Sequence, residues 1–195
     1  MLKSIVTLVA LVSIGGSALA LSGKAGTFLR QVIGTQSPAE QRWVEYRSPE
    51  GGYRVEMPGA PTLAAAPIES KDGRKVTNYY AGLRKGALEF IATHTNFPSG
   101  HLHPNRELVL DAMHSGMATG RMLVNERRLA VSGLPGRQGV VVLATGEYCI
   151  LRVTVAGDST YQVMACGGAS ADMDQEPDVK RFLDSFQLLP QVGSP

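Results

Sequence analysis

From Trp43 onward apolar and polar residues alternate with a period of two along most of the chain, the mark of strands with one face buried. Trp43 to Tyr46 alternates, and Tyr53 to Met57 does so cleanly before Pro58-Gly59-Ala60-Pro61 stops it. A third extended stretch, Pro67 to Ser70, runs into Lys71-Asp72-Gly73-Arg74. Its Asp-Gly pair predicts a hairpin, because glycine accepts the positive φ of a tight turn. Val76 to Leu83 is the next strand, turned by Lys85-Gly86, and Leu88 to Phe97 follows with Phe90, Ala92 and His94 on one face.

The period then changes. After a polar loop at residues 98–104, Asn105 can cap a helix that runs to Thr119. At 100° per residue Val109, Leu110, Met113 and Met117 form its apolar stripe, with Glu107, Asp111 and His114 opposite. Gly120 stands where a helix ends. Four strands are predicted beyond it: Met122 to Val131, Gln138 to Thr145, Tyr148 to Ala156 and Thr160 to Cys166. Gly133-Leu134-Pro135-Gly136, Gly146-Glu147 and Gly157-Asp158 make the turns. Glu176-Pro177-Asp178 opens a last helix, since proline and acids suit a first turn. Its buried face is Val179, Phe182, Leu183 and Phe186. Strands, one helix, four strands and a terminal helix make an α+β fold: a largely antiparallel sheet with two main helices packed on it.

The first twenty residues follow another pattern. Lys3 is a positive start, Ile5 to Ile14 is apolar except for Thr7 and Ser13, and Ala18-Leu19-Ala20 has small residues where a signal peptidase reads them. The run is shorter than the ~20 apolar residues of a membrane span. Residues 1–20 are therefore expected to be a signal peptide cleaved after Ala20, and no cysteine follows to carry a lipid. Residues 21–42, broken by Gly, Ser and Pro, read as a flexible tether; 43–189 form a single domain; 190–195 are a loose tail. The expected location is the periplasm or the extracellular space. A membrane enters only if the leader stays attached.

Composition removes one class of function. The formal net charge of +2 falls to about +1 when Lys3 leaves with the leader, and no strongly basic face is left to bind nucleic acid.

The two cysteines allow a register argument. With Gly157-Asp158 as a two-residue loop, Ala156 faces Ser159 and Cys149 faces Cys166 on a non-hydrogen-bonded pair. The Cα atoms of such a pair approach to about 4.5 Å. An oxidising compartment then predicts a disulfide. A four-residue loop would instead put Gly168 opposite Cys149.

Candidate chemistry is sparse. All four histidines lie between positions 94 and 114, so His101, His103 and one of His94 or His114 are a candidate zinc or copper set, although the spacing matches no recognised ligand pattern. Ser115-Gly116 and Ser132-Gly133 are not nucleophile elbows, which need Gly two residues either side of Ser. Gly133 to Gly139 lacks the Lys-Ser/Thr ending of a phosphate loop. Cys149 is a candidate nucleophile only if reduced. Tyr79, Tyr80, Tyr148 and Tyr161, on strands with an outer face, are candidate binding residues.

The stretch Tyr46-Arg-Ser-Pro-Glu-Gly-Gly-Tyr-Arg-Val-Glu-Met-Pro-Gly-Ala-Pro61, the middle turn Gly133-Leu-Pro-Gly-Arg137 and the closing Arg181-Phe-Leu-Asp-Ser-Phe186 resemble a set of bacterial exported domains of unassigned role. In architecture they are similar to the PsbP-like group, named for the extrinsic photosystem II subunit. The resemblance spans roughly residues 43–189. It implies an antiparallel sheet with packed helices and an accessory or binding domain without shared catalytic residues. The expected partner is a protein or small ligand outside the cytoplasm, and no cofactor is expected other than the candidate zinc or copper.

Overall fold

The structure, a computed structural model, describes residues 42–69, 75–117 and 121–190, with Glu69 and Met117 described as backbone only. The expected leader at 1–20, the tether up to residue 41, the hairpin turn at 71–74, the helix stop at Gly120 and residues 191–195 lie outside the described residues.

The elements in chain order are β1 (Val44–Ser48), β2 (Tyr53–Met57), β3 (Thr62–Glu69), β4 (Lys75–Lys85), β5 (Leu88–Asn96) and α1 (Arg106–Met117). Then come β6 (Met122–Val131), β7 (Leu134–Val142), β8 (Tyr148–Ala156), β9 (Ser159–Gly168), a 3-10 turn (Met173–Gln175), α2 (Pro177–Ser185) and β10 (Gln187–Leu188). The α+β class expected from the periodicity is the class observed.

Every pairing is antiparallel. Seven strands form one sheet in the order β3-β4-β5-β9-β8-β7-β6, and β1, β2 and β10 form a second, smaller one. The second sheet is a finding beyond the expected single sheet. Its cause lies in the central strands, where β5 is buried at seven consecutive positions, Glu89 to Thr95. A sheet apolar on both faces must be covered on both.

The two covers are different. On one face α1 packs across β7 and β8, and Val109, Leu110 and Met113 meet Ile91, Val141, Leu151 and Met164. On the other face the small sheet and α2 bury Tyr53, Val55, Met57, Phe182 and Leu183 against Phe90, Ile150 and Val163. Among the described residues no helix is long and apolar enough to cross a membrane.

Some boundaries move. β3 begins at Thr62 rather than Pro67, so the alanine-rich run is edge strand. Gly133 to Gly136 is not a four-residue turn. Ser132 and Gly133, at φ 52° and 79°, make the turn alone, and Pro135 is already paired with Ala130. Positive φ at both central residues is the signature of a type I′ hairpin turn. The edge strand β6 carries a bulge between Val124 and Arg127, with Asn125 at φ 52°, which bends an open edge away from further pairing.

Candidate functional site

The β8–β9 hairpin turns at Gly157-Asp158, and its register puts Ala156 opposite Ser159 and Cys149 opposite Cys166. The two sulfurs are bonded, and the Cα atoms are 4.1 Å apart. Gly168 also enters the ladder, opposite Tyr148, because the pairing shifts by one residue beyond the disulfide. Gly167, at φ 101°, is the residue that shift leaves over, and a Cβ there would collide with the Ala87 carbonyl. Cys149 is therefore a structural half-cystine, buried and oxidised.

The histidines go to separate places. Among the described residues no three His, Cys, Asp or Glu side chains gather as a metal-ion site, so the expected zinc or copper set is not assembled. His101 stacks on Phe97, ring centroids 5.5 Å apart. His103 accepts a hydrogen bond at Nδ1 from the backbone N–H of Asn105 at 3.1 Å, which shapes the loop ahead of α1. His114, expected on a solvated helix face, is buried. Gly139 of β7 leaves the space its ring fills, since a Cβ there would lie 2.6 Å from His114 Nε2. Its Nδ1 is 3.4 Å from the Glu126 carboxylate, and burial holds its pKa below the usual value.

The solvated face is corrected in a second way. Glu107 and Asp111 both reach Arg137 of β7, whose side chain is only 2% exposed. Arg137 donates from Nε to Asp111 Oδ1 at 3.1 Å, from Nη2 to the same oxygen at 2.8 Å, and from Nη2 to Glu107. The acids are half-exposed caps on a buried guanidinium. They orient α1 on the sheet.

The tyrosines divide between the two faces. Tyr80 is buried on the α1 side, where Asn78 accepts from Thr95 Oγ1 at 3.0 Å, and burial pushes the Tyr80 phenol up to about 12. Tyr148 and Tyr161 pack into the opposite core, and Tyr161 is buried. A single exposed tyrosine surface is therefore not formed. Side chains alternate along a strand, so the neighbours Tyr79 and Tyr80 were bound to part.

Three of the singled-out residues do converge. Register places Tyr79 opposite His94 and His94 opposite Tyr161. The His94 ring lies flat against Tyr79, centroids 4.7 Å apart at 6°, with Tyr161 on its other side at 6.4 Å. Tyr53 of β2 meets it edge-on at 5.7 Å, and Phe186 lies beyond, against Tyr53 and Tyr161. His94 is 1% exposed, and among the described residues neither ring nitrogen has a hydrogen-bond partner. Burial pushes its pKa down to about 4.

Tyr79 is only partly buried, and it lines an open cleft of about 320 Å³ with Lys75, Val76, Thr77, Asn96, Phe97 and Pro98. The cleft forms where the β4–β5 ladder stops: pairing ends at Asn78–Thr95, so Lys75, Val76 and Thr77 have no β5 partner in the register. Tyr79 was legible in the sequence as a candidate binding residue, but the cleft was not. Strand length shows in periodicity, whereas the splaying of two strands does not.

No protein-family model matches the chain, and no curated protein matches it. Among solved structures it is similar to "Solution Structure of Cyanobacterial PsbP (CyanoP) from Synechocystis sp. PCC 6803", at 11% identity and a TM-score of 0.46, over 80% of this chain and 98% of that one.

Proposed function

We propose that residues 43–189 act outside the cytoplasm as a non-catalytic accessory or binding domain that holds a small ligand or a segment of a partner protein in the cleft beside Tyr79. The observation that carries this reading is the Tyr79–His94 stack at the cleft wall. An aromatic ring already held flat by a second ring loses little freedom when a ligand covers it, and pre-ordering of this kind favours binding. Lys75 adds a cation at the rim and Asn96 a side-chain amide, so the cleft suits a planar apolar group bearing an anion. The Cys149–Cys166 disulfide favours an oxidising compartment, in keeping with the expected leader.

The cleft is tested by NMR titration with simple aromatic carboxylates such as benzoate. Shift changes are expected at Thr77, Tyr79 and Asn96 and should vanish in Tyr79→Ala. Changes that survive that substitution, or none at those residues, reject the reading. Export is tested separately by fractionating cells and sequencing the mature N-terminus, which should begin at Leu21.

A further inference from the structure

The stacked histidine lies beneath a turn that joins the two sheets. Glu50-Gly51-Gly52 connects β1 to β2 and reaches across to the seven-stranded sheet through three contacts. Asn96 Nδ2 donates to the Glu50 carbonyl at 3.2 Å, the Tyr161 hydroxyl donates to the Gly51 carbonyl at 3.0 Å, and Gly51 presses on the His94 ring. The fit is close enough that a Cβ on Gly51 would lie 2.7 Å from both His94 Nδ1 and the Tyr53 ring. Within the small sheet the turn is held by Gly51 N–H to Ser48 Oγ and Gly52 N–H to the Ser48 carbonyl, each 3.0 Å, and by Leu189 N–H to the Gly52 carbonyl at 2.8 Å.

We propose that His94 is an acid-sensitive latch: neutral, it seats the Glu50-Gly51-Gly52 turn on the seven-stranded sheet, and protonated it releases that turn. Neutral imidazole is tolerated here because its faces, not its nitrogens, make the contacts. A proton turns both nitrogens into donors and adds a buried charge with no hydrogen-bond acceptor for it among the described residues. The Gly51 carbonyl already accepts from Tyr161, and burial raises the pKa of the Tyr53 and Tyr161 phenols, which keeps both neutral. Glu50 is the charged group that favours the protonated ring, and it rides on the turn itself. What the charged ring lacks in this pocket is water, and hydrating it requires the turn to lift. The latch acts on the packing of the two sheets, independently of whether the Tyr79 cleft binds a ligand.

The test is amide hydrogen exchange on the purified chain at pH 7.5 and pH 5, with rates corrected for their intrinsic pH dependence, alongside NMR titration of the His94 ring. Protection at Gly51, Gly52 and Leu189 should fall at least tenfold at pH 5 and track the His94 titration, while Leu151 and Val163 in the sheet centre keep theirs. His94→Phe, which stacks but takes no proton, should hold the turn at both pH values, and His114→Gln should behave as the parent chain. Unchanged protection in the parent chain, an equal loss at Leu151 and Val163, or an equal loss in His94→Phe overturns the latch. If His94→Phe does not fold, a turn midpoint away from the His94 titration in the parent chain overturns it alone.

Discussion

Single residues carry two of the tightest constraints in this chain. Cys149 and Cys166 close a loop of sequence separation 17 inside a hairpin that is already local. Chain entropy for such a loop amounts to about 3 kcal/mol. A hairpin that half-forms in the unfolded chain recovers part of that, so Cys149→Ala with Cys166→Ala should lower unfolding free energy by about 1–3 kcal/mol in urea titrations. Reductant should then have no further effect on the double variant. Gly139 is constrained by space rather than by φ. Gly139→Ala must displace the His114 ring and Leu123, and overpacking of that kind costs about 1–3 kcal/mol, read by the same titration. Gly139→Ala with His114→Ala should recover part of the loss, because the collision partner is gone.

At the scale of elements, α1 is fixed by an apolar stripe and one buried guanidinium. The ion pairs themselves are weak, because Glu107 and Asp111 are close to half exposed and such pairs contribute about 0–1 kcal/mol. The packed stem of Arg137 matters more, since a long side chain lost from a closed site leaves a cavity. Arg137→Ala is therefore expected to destabilise by about 2–4 kcal/mol in urea titrations, and Arg137→Met, which keeps the stem, by about 1 kcal/mol. High salt should barely change either difference. Equal losses in the two variants would assign the effect to charge. The helix was readable as a helix, and Val109, Leu110 and Met113 as its buried stripe. Its polar side was not readable in detail: Arg137 sits on a strand thirty positions from Glu107, and only sheet packing brings them together.

For the molecule as a whole, the buried histidines set the pH response. His94 has a folded pKa near 4 against an ordinary value of 6.5. The unfolded chain therefore binds a proton that the folded one refuses, so stability is full above about pH 6.5 and is lost as pH falls towards 4. For this group the loss is about 2 kcal/mol between pH 8 and pH 5, from the linkage of the two pKa values. His114 is shifted in the same direction and adds to it. Urea titrations across that range should show the slope, and His94→Phe should remove most of it.

Period-two and period-3.6 patterning determined the strands, the helices and the α+β class, because those periods are local properties of the backbone. One local count also predicted the Cys149–Cys166 register for a two-residue turn, and the structure chose that turn over the four-residue alternative. Tertiary structure alone decided that β1 and β2 leave the main sheet and that the four histidines disperse. Each of those outcomes depends on which distant surface covers a given face, and a periodicity states only that a face is covered. His94 shows the division most clearly. Its strand and its facing side were legible, but the Gly51 turn that closes over it is brought there by the folding of the second sheet.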